Sequence, residues 1–347
     1  MAKVLVIRTS SLGDIALLVP VVFSVASRYP QDRFVVMTRQ AFTPLFSHLG
    51  FNISTLPLDT NKRHKGVWGL FKMLLKTNGK GFTHVADVHN VLRSKVIRSV
   101  MKLTFTQTAK IDKGRAEKKL MTQEKNTSKP LKHTTQRYLD VFTQLGFPAE
   151  IIFEDLFSFK PKEFKYLKNV TGDKHGTWIG IAPFAQHKGK VLPDNKIEEL
   201  IEAISQRENT SIFIFGGCND MAKIHHWSEK YPNIIKHGGK INLELELLLI
   251  SYLDVMISMD SANMHLASLV NVPVVSIWGA THPALGFYGF RQDIDNAVQA
   301  DLSCRPCSVF GNTPCPYQGE EEYKCLKMID SQSVISKVEK VLENKKS

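Results

Sequence analysis

Long apolar runs are missing from this sequence of 347 residues. No segment approaches the roughly 20 consecutive apolar residues that a helix needs to cross a bilayer. Met1 is followed by the short apolar run Val4–Ile7, which has neither a basic flank leading into a longer apolar core nor a small-residue cleavage site. Since 43% of the residues are hydrophobic and 22% are charged, we expect a soluble, cytoplasmic, globular protein.

Cysteine is scarce, with five residues in all. Four of the five lie in one short tail, as Cys304-x-x-Cys307 followed by Cys315 and Cys325. This spacing is compatible with a structural zinc site, although the gap between the second and third cysteines is shorter than in common zinc ribbons. The alternatives are a redox pairing or reduced thiols packed in a loop, and a cytoplasmic location disfavours stable disulfides.

Acidic residues are few in the first half of the chain. Residues 1–165 contain 27 Lys and Arg against 12 Asp and Glu, whereas residues 166–347 contain 18 against 21. Such a basic half is either a solvated surface or a surface for an anionic partner, namely nucleic acid, a phosphorylated glycolipid or the inner leaflet of a membrane. The densest run of basic residues comprises Lys110, Lys113, Arg115, Lys118, Lys119, Lys125, Lys129 and Lys132.

Internal repeats are also absent, and short apolar strands alternate with helical segments instead. This alternation is typical of parallel sheets with crossover helices on both faces. The predicted strands are Val4–Ile7, Phe34–Met37, His84–Val88, Trp178–Ala182, Ser211–Phe215, Val255–Ser258 and Val274–Trp278. The predicted helices include Ile15–Tyr29, Val91–Leu103, Thr134–Leu145, Lys196–Arg207, Met221–Lys230 and Leu243–Leu253.

The alternation pauses in the middle of the chain, and a linker near Lys160–Gly176 is predicted from Pro161, Gly172 and several lysines. We therefore predict an α/β fold with two doubly wound, Rossmann-like domains facing a central cleft. The domains would span residues 1–165 and 166–347, and the second would end in the cysteine-rich tail and a C-terminal helix. Ligands of such sheets bind at the carboxyl ends of the strands.

A polar turn, RTSSLGD, follows the first predicted strand. The hydroxyls of Ser10 and Ser11 can bind sugar or phosphate oxygens, and Gly13 permits a tight bend. Asp14 lies near a helix N-terminus, which stabilises an ionised carboxylate and makes it a candidate general base. The alternative role of this turn is a simple helix cap. The turn is neither a P-loop nor a dinucleotide-binding fingerprint, because the required glycine spacing is missing.

A second polar insert, DSANMHLA, follows the strand Val255–Ser258. Asp260 is a good N-cap residue for the helix that begins here, and the first backbone N–H groups of a helix attract an anion such as a pyrophosphate. Ser261 and His265 are four residues apart and can share one face of the helix. The small residue Ala262 favours close approach of a ligand. The alternative is a cap followed by a surface histidine.

The order of RTSSLGD, DSANMHLA and VPVVSIWG resembles the motifs of glycosyltransferase family 9, the heptosyltransferase family of lipopolysaccharide assembly. The resemblance extends from Lys3 to about Ile329. It implies a fold of GT-B type, with the acceptor held mainly by the N-terminal domain and a nucleotide sugar, most often an ADP-sugar, held mainly by the C-terminal domain. It further implies an inverting reaction that requires no metal or other cofactor.

The resemblance implies individual roles on the donor side. Lys190, in the segment GKVLP, is similar to the lysine of the family's Lys-x-Trp-Pro segment, which neutralises the donor phosphates. Leu192 replaces the usual tryptophan, so Lys188 is an alternative to Lys190. Asp260 and His265 match the family's acidic residue and histidine at the donor. The remaining donor-site candidates are Ser261, Ala262, where the family more often has glycine, and Asp220, which either holds a ribose hydroxyl or caps a helix.

On the acceptor side, Asp14 matches the family's proposed general base. The predicted acceptor-binding residues are Ser10, Ser11, Gly13, Lys118, Lys119 and Lys125. We therefore expect transfer of a sugar, most simply heptose from ADP-heptose, to a lipopolysaccharide core or related anionic glycolipid at the cytoplasmic face of the inner membrane, with no nucleic-acid partner. The alternatives are an epimerase or hydrolase of sugar nucleotides, or a basic nucleic-acid-binding protein with a zinc-bearing tail.

Overall fold

Two parallel β-sheets of five strands each organise the protein, in agreement with the predicted α/β class. The structure, a computed structural model, describes residues 1–47, 49–59, 69, 81–103, 106–158, 160–237 and 241–345. The chain divides into two compact units: Met1–Lys113 with Thr134–Lys160, and Gly114–His133 with Pro161–Ser347. The predicted domains 1–165 and 166–347 differ from these units chiefly by the basic segment Gly114–His133, which belongs to the second unit.

The strands are β1 Lys3–Ile7, β2 Arg33–Arg39, β3 Ile53–Leu58, β4 His84–Asp87, β5 Gln107–Lys110, β6 Thr177–Ala182, β7 Thr210–Ile214, β8 Val255–Met259, β9 Val274–Trp278 and β10 Ala297–Gln299. The helices are α1 Leu12–Arg28, α2 Leu92–Lys102, α3 Arg115–Glu124, α4 Thr134–Gln144, α5 Lys165–Thr171, α6 Asp194–Ser205, α7 Met221–Lys230, α8 Leu243–Ile250, α9 Ala262–Leu269, α10 Lys324–Lys327 and α11 Ser331–Asn344. Within the described ranges, no helix combines the length and the apolar character needed to span a membrane.

The sheet of the first unit has the order β3-β2-β1-β4-β5, and its pairs are all parallel. Strand β1 lies at the centre, where Val4 to Ile7 are completely buried. The chain extends the sheet from β1 to β2 and β3 on one side, then crosses over to β4 on the other. The carboxyl ends of β1 and β4 are therefore a topological switch point, which is the usual ligand-binding position in an open α/β sheet.

The sheet of the second unit is also parallel but has a different strand order, β10-β9-β8-β6-β7. The chain passes from β6 to β7 on one side and then crosses over to β8, so the switch point lies between the carboxyl ends of β6 and β8. The apolar strand β8 is buried along its whole length, as both faces of the sheet are covered. Loops that follow β6 and β8 must therefore approach each other.

Strands β3, β5 and β10 are not predicted by the apolar pattern. Strand β3 contains Pro57 and is only partly buried, and β5 is a polar edge strand with the sequence QTAK. Strand β10 is only three residues long. All three lie at sheet edges, where one flank carries no neighbouring strand and the demand for apolar residues is lower.

Helix α1 begins at Leu12, three residues before the predicted start at Ile15. Ser11 precedes the helix, and its backbone N–H and hydroxyl both donate to Asp14 Oδ2, at 3.4 and 2.9 Å. Helix α1 also continues through Pro20, whose carbonyl accepts a hydrogen bond from Ser24 Oγ at 2.7 Å. The polar turn is thus part of the helix start, which holds Asp14 in the first turn of α1.

Candidate functional site

Asp14 forms an ion pair with Arg8 at the switch point of the first unit. Arg8 Nη2 contacts Asp14 Oδ2, and the side chain of Arg8 is only 7% exposed whereas that of Asp14 is 37% exposed. A buried guanidinium beside a partly exposed carboxylate favours the ionised carboxylate. The geometry therefore presents a charged carboxylate to solvent from a fixed position, as a general base requires.

Arg8 is itself fixed by two further contacts in the first unit. Arg8 Nη1 donates to Val88 O at 2.7 Å, which ties the loop after β1 to the loop after β4. The guanidinium also lies 5.8 Å from the ring centroid of Tyr138, whose hydroxyl donates to Asp14 O at 3.1 Å. Arg8 lies in the RTSSLGD motif, but the motif alone assigns it no role, because two of its partners, Val88 and Tyr138, come from distant segments.

His89 is a site residue that the sequence motifs do not indicate. Its Nδ1 lies 3.2 Å from Thr9 Oγ1 and its Nε2 lies 3.3 Å from Ser10 Oγ. Burial and the nearby charge of Arg8 lower the pKa of His89 to about 3, so the imidazole is neutral at physiological pH. The signal available in the sequence is the polar pair His89-Asn90 directly after the predicted strand His84–Val88, the same pattern as in the two recognised inserts.

The loop that carries His89 is held by Asp87, which is completely buried. Asp87 Oδ1 accepts hydrogen bonds from the backbone N–H groups of His89 and Asn90, at 3.1 and 2.7 Å. Asp87 Oδ2 forms an ion pair with Arg98 Nη1 of α2 at 2.6 Å. A buried carboxylate satisfied in this way fixes the backbone of the loop and therefore the position of His89.

In the second unit, Lys190 and Asp260 meet at the switch point between β6 and β8. Lys190 Nζ lies 2.7 Å from Asp260 Oδ2, and the two side chains are 13% and 4% exposed. Thr281 Oγ1 donates to the same carboxylate oxygen at 2.8 Å. The structure thus places Lys190 against Asp260, whereas Lys188 is exposed. Thr281 is an additional residue that the motifs do not indicate.

Two glycines let the Lys190 side chain lie against the backbone. A Cβ atom on Gly311, which has a φ of +76°, would lie 2.6 Å from Lys190 Cγ. A Cβ atom on Gly189 would lie 2.9 Å from both Ala280 Cβ and Gly311 O. Because neither position has room for a side chain, the path of Lys190 towards Asp260 depends on both glycines.

The N-terminus of α9 adjoins this ion pair, but Asp260 is not its cap. The structure makes Ser261 the N-cap residue, with Ala262 as the first residue of the helix. The prediction that Asp260 caps the helix is therefore wrong, because its carboxylate is used by Lys190 and Thr281 instead. Ser261 Oγ lies 3.3 Å from Ser258 Oγ, and His265 follows one turn later with 7% exposure. The first amides of α9 are suited to bind an anion.

The three lysines predicted to bind an acceptor have separate environments. Lys118 is buried in the second unit with its Nζ 5.1 Å from the ring centroid of Phe287, and Lys190 Nζ lies 5.9 Å from the same centroid. Lys125 Nζ donates to Pro306 O at 2.9 Å, while Lys119 is exposed.

The other predicted acceptor-binding residues, Ser10, Ser11 and Gly13, belong to the first unit. The predicted acceptor set is therefore divided between the two units.

Asp220 lies in a short 3-10 turn before α7. Its Oδ2 accepts a hydrogen bond from Gly217 N at 2.8 Å, so in this structure the carboxylate closes its own turn. A role at a ribose hydroxyl stays a prediction.

A separate surface cavity, lined by His175, Arg207 and Asn209 among others, lies at the amino ends of β6 and β7, which is the edge opposite to Lys190.

The cysteine tail is attached to the second unit through Arg305. Its guanidinium is buried and donates to the carbonyls of Gly279 and Ala300 at 2.5 and 2.6 Å. Burial raises the pKa of Cys325 to about 11, and burial also raises the pKa of Cys307, so both thiols are protonated at neutral pH.

The structure gives no support to the possibility of a structural zinc site at Cys304, Cys307, Cys315 and Cys325. The part of the chain that the structure describes contains no group of three or more His, Cys, Asp or Glu side chains able to hold a metal ion. Cys315 Sγ instead accepts a hydrogen bond from Tyr323 N at 3.3 Å. All four cysteines are free thiols, which corresponds to the alternative of reduced thiols in a loop.

A comparison with known families identifies one match. The family described as glycosyltransferase family 9 (heptosyltransferase) matches residues 69–317. The match therefore covers well over half of the chain and includes Lys190 and the whole insert from Asp260 to His265.

Individual proteins agree with this match. The chain is 24% identical over 345 residues to lipopolysaccharide heptosyltransferase 3 of Escherichia coli K12, covering 95% of each protein. Its fold matches the structure of E. coli ADP-heptose LPS heptosyltransferase II with a TM-score of 0.72 and 18% identity, over 99% of this chain and 100% of the other. It also matches E. coli heptosyltransferase WaaC with ADP-2-deoxy-2-fluoro heptose, with a TM-score of 0.66 and 15% identity, over 97% and 99% of the two chains.

Proposed function

Because this chain belongs to glycosyltransferase family 9, the heptosyltransferase family, and is a glycosyltransferase, we propose that it transfers heptose from ADP-heptose to a lipopolysaccharide core or a related anionic glycolipid. A relative in E. coli is named as a lipopolysaccharide heptosyltransferase, which supports the acceptor class. A structural neighbour was solved with an ADP-heptose analogue, which supports the donor.

The observation that carries the proposal is the cluster of Lys190, Asp260 and Thr281 beside the N-terminus of α9. An ammonium group and the first amides of a helix are the groups that stabilise a diphosphate. They also lie at the switch point of a doubly wound sheet, where nucleotides bind in folds of this class. This arrangement fits a nucleoside diphosphate that becomes more negative as it leaves the sugar.

In the proposed reaction, Asp14 removes the proton from an acceptor hydroxyl. The freed oxygen forms a bond to the anomeric carbon of the donor, and the bond from that carbon to the ADP oxygen breaks with its electron pair remaining on ADP. A single displacement of this kind inverts the anomeric centre. General-base assistance accelerates such a step by roughly 10²–10⁴. Arg8 keeps the carboxylate charged before the proton arrives.

We propose that the leaving group is stabilised by Lys190 and the helix amides rather than by a metal ion. Asp260 and Thr281 orient the lysine, and His265 follows one turn along α9. A lysine placed in this way supplies the positive charge that a divalent cation supplies in many other phosphate sites.

The acceptor would be reached at the inner membrane from the cytoplasmic side, with the protein bound peripherally. Helix α2 supports this proposal, because its outer face combines Lys95 and Lys102 with Leu92, which is 77% exposed, and Leu103, the residue directly after the helix, is 81% exposed. Basic and apolar side chains on one helix face suit an anionic lipid surface. Nothing in this face requires a nucleic-acid partner.

The experiment that tests the function is a calorimetric titration of the purified protein with ADP, GDP, UDP and CMP, with and without a chelator. We expect preferential binding of ADP that the chelator does not alter. The variant Lys190→Met should weaken ADP binding by roughly tenfold or more, since it removes a charged contact to phosphate. Lys188→Met is the matched control, because this neighbouring lysine is exposed, and its affinity should equal that of the wild type.

Two results would contradict the proposal. A protein that binds none of these nucleotides has no donor site of the proposed kind. Equal ADP affinity in the Lys190→Met and Lys188→Met variants would show that the Lys190 cluster does not bind the donor. Once binding is established, NMR of the product formed from ADP-heptose reports the anomeric configuration, and a retained configuration would exclude the single displacement by Asp14.

A further inference from the structure

The tail segment CRPC contains a buried arginine, Arg305, which is only 7% exposed. Its guanidinium donates to uncharged oxygens, which are the carbonyls of Trp278, Gly279, Thr281 and Ala300 and the side-chain oxygen of Gln299, at distances of 2.5 to 3.1 Å. Burying a cation among uncharged groups costs free energy. A planar fork of donors, however, holds several carbonyls in one fixed arrangement, and most of these carbonyls belong to the end of β9 and the loop 279–281 that follows it.

Thr281 joins Arg305 to the carboxylate of Asp260. The backbone carbonyl of Thr281 accepts a hydrogen bond from Arg305 Nη2 at 3.0 Å, and its Oγ1 donates to Asp260 Oδ2 at 2.8 Å. Both residues are buried, with 0% and 4% exposure. The same carboxylate oxygen lies 2.7 Å from Lys190 Nζ. A continuous series of polar contacts therefore connects the guanidinium of the tail to the ammonium group of the donor cluster.

A second connection runs through the backbone of Ala280. Its N–H donates to the carbonyl of Gly189 at 2.8 Å, at the residue directly before Lys190. Its own carbonyl accepts hydrogen bonds from the N–H groups of Cys307 and Ser308, at 3.0 and 3.1 Å. The tail thus holds the loop after β9, and that loop in turn holds the backbone from which the lysine extends.

A lysine needs such support if it is to meet a diphosphate from a fixed position. Its side chain is long and flexible, and holding it in one conformation costs roughly 2 kcal/mol of conformational entropy. The ion pair with Asp260 keeps Lys190 in place only as long as the carboxylate is itself fixed. A lysine that is ordered before the ligand arrives binds the ligand more tightly, because less entropy is lost on binding.

We propose that Arg305 is a positioning residue of the donor site, which acts on the diphosphate of the nucleotide sugar through Thr281, Ala280 and the Lys190–Asp260 pair. This inference rests on the proposed function and extends it to a segment that the donor motifs do not include. The cysteine-rich tail then has a role that requires no metal, since its arginine and its backbone N–H groups fix the loop after β9.

The test is the affinity for ADP, measured by calorimetry beside the affinity for adenosine, which lacks the diphosphate. Arg305→Lys keeps a cation but loses the planar fork, so ADP should bind roughly fivefold more weakly while adenosine affinity stays the same. Arg207→Met is the control for a loss of stability. Arg207 is an ion-paired arginine of the same unit, at the sheet edge opposite to Lys190. Its variant should lower the thermal midpoint and leave ADP affinity unchanged.

A double variant distinguishes positioning from a purely structural role. Both connections from Arg305 end at Lys190, so Arg305→Lys introduced into Lys190→Met protein should weaken ADP binding by less than about twofold. Thr281→Val breaks the contact with Asp260 and leaves the arginine in place. It should weaken ADP binding in the same direction, and it keeps the inference testable if the arginine variants do not fold.

The outcomes separate this inference from the proposed function. A wild-type protein that binds no nucleoside diphosphate overturns both. If Lys190→Met weakens ADP binding but folded Arg305→Lys or Thr281→Val protein binds ADP like the wild type, the positioning role alone is overturned. An equal loss of ADP affinity from Arg305→Lys in the wild type and in Lys190→Met protein also overturns it, because the arginine then acts independently of the lysine. So does an equal loss of ADP and adenosine affinity.

Discussion

At the scale of single residues, the first-unit site depends on charges that burial holds in place. Arg8 is nearly inaccessible and contacts Asp14, whose carboxylate remains partly exposed. His89 stands beside Ser10 as a neutral imidazole. A charged base and a neutral hydrogen-bonding ring are suited to a sugar hydroxyl, because the first accepts its proton and the second binds without adding charge.

The substitution Asp14→Asn should abolish most of the turnover. The amide cannot accept the proton of the acceptor hydroxyl, so kcat should fall by roughly 10²–10⁴. ADP affinity, measured by calorimetry, should equal that of the wild type because Asp14 belongs to the first unit. Ser11→Ala is the comparison variant: it removes one hydrogen bond to Asp14 and should reduce kcat far less. Wild-type turnover in Asp14→Asn would exclude Asp14 as the base.

His89 should make folding stability depend on pH. Its folded-state pKa, about 3, is below the usual value near 6.5, so between these values the unfolded chain binds a proton that the folded protein does not. The free energy of unfolding therefore has its full value above about pH 6.5. It decreases as the pH falls, and at pH 5 the decrease is about 2 kcal/mol. In urea unfolding, His89→Gln should lose less stability than the wild type between pH 7.5 and pH 5. Identical losses in the two proteins would show that His89 does not titrate in this way.

At the scale of secondary-structure elements, loops after parallel strands build both sites. In the first unit the loops after β1 and β4 join through Arg8 and Val88, and in the second the loops after β6 and β8 join through Lys190 and Asp260. Each pair of loops flanks a switch point. Loops that are distant in sequence are therefore joined by a side chain and a backbone carbonyl in the first unit and by two side chains in the second. The glycines around Lys190 determine how closely the loops of the second unit approach.

The substitution Gly311→Ala should displace Lys190. The added methyl would lie 2.6 Å from Lys190 Cγ, closer than carbon atoms pack, so we expect the lysine side chain to shift from its present position against Asp260. We expect ADP affinity to fall by roughly tenfold. Gly319→Ala is the matched control, because Gly319 also has a positive φ, +62°, but a methyl there meets nothing within 4 Å. Equal ADP affinities in the two variants would contradict the steric role of Gly311.

At the scale of the whole molecule, positive charge is concentrated in the first half of the sequence. Residues 1–165 contain 27 Lys and Arg against 12 Asp and Glu, and the chain as a whole carries a formal charge of +12. An excess of this size attracts anionic partners over distances of about one Debye length, roughly 10 Å at 0.1 M salt. The acceptor, which we propose to be a phosphorylated glycolipid, should be attracted by this positive charge.

The KM for a phosphorylated acceptor should therefore rise as salt is added. Screening weakens the attraction between the basic surface and the acceptor phosphates, so the effect belongs to KM more than to kcat. The same acceptor after enzymatic dephosphorylation is the control, and its KM should change little with salt. If both acceptors respond equally, the basic half of the chain does not act through the acceptor phosphates.

Much of the fold is determined by the sequence itself. The apolar strands at Val4–Ile7 and Val255–Ser258 are found where their hydrophobic pattern predicts them, because continuous burial on both faces of a parallel sheet leaves a local signature. The polar inserts after them are located by the same reasoning, since the ends of such strands face the ligand side. Asp14 and Asp260 could thus be singled out by position and residue type, whereas Lys190 was indicated only by the resemblance of its segment to a family motif.

Only the tertiary structure decided which of these side chains meet. The contacts of Arg8 with Val88 and Tyr138, the contacts of His89 with Thr9 and Ser10, and the position of Lys118 beside Phe287 all join segments far apart in the chain. The same holds for the membership of Gly114–His133 in the second unit. Hydrophobic periodicity reports burial along one element, whereas the pairing of charges depends on which elements become neighbours when the sheets form.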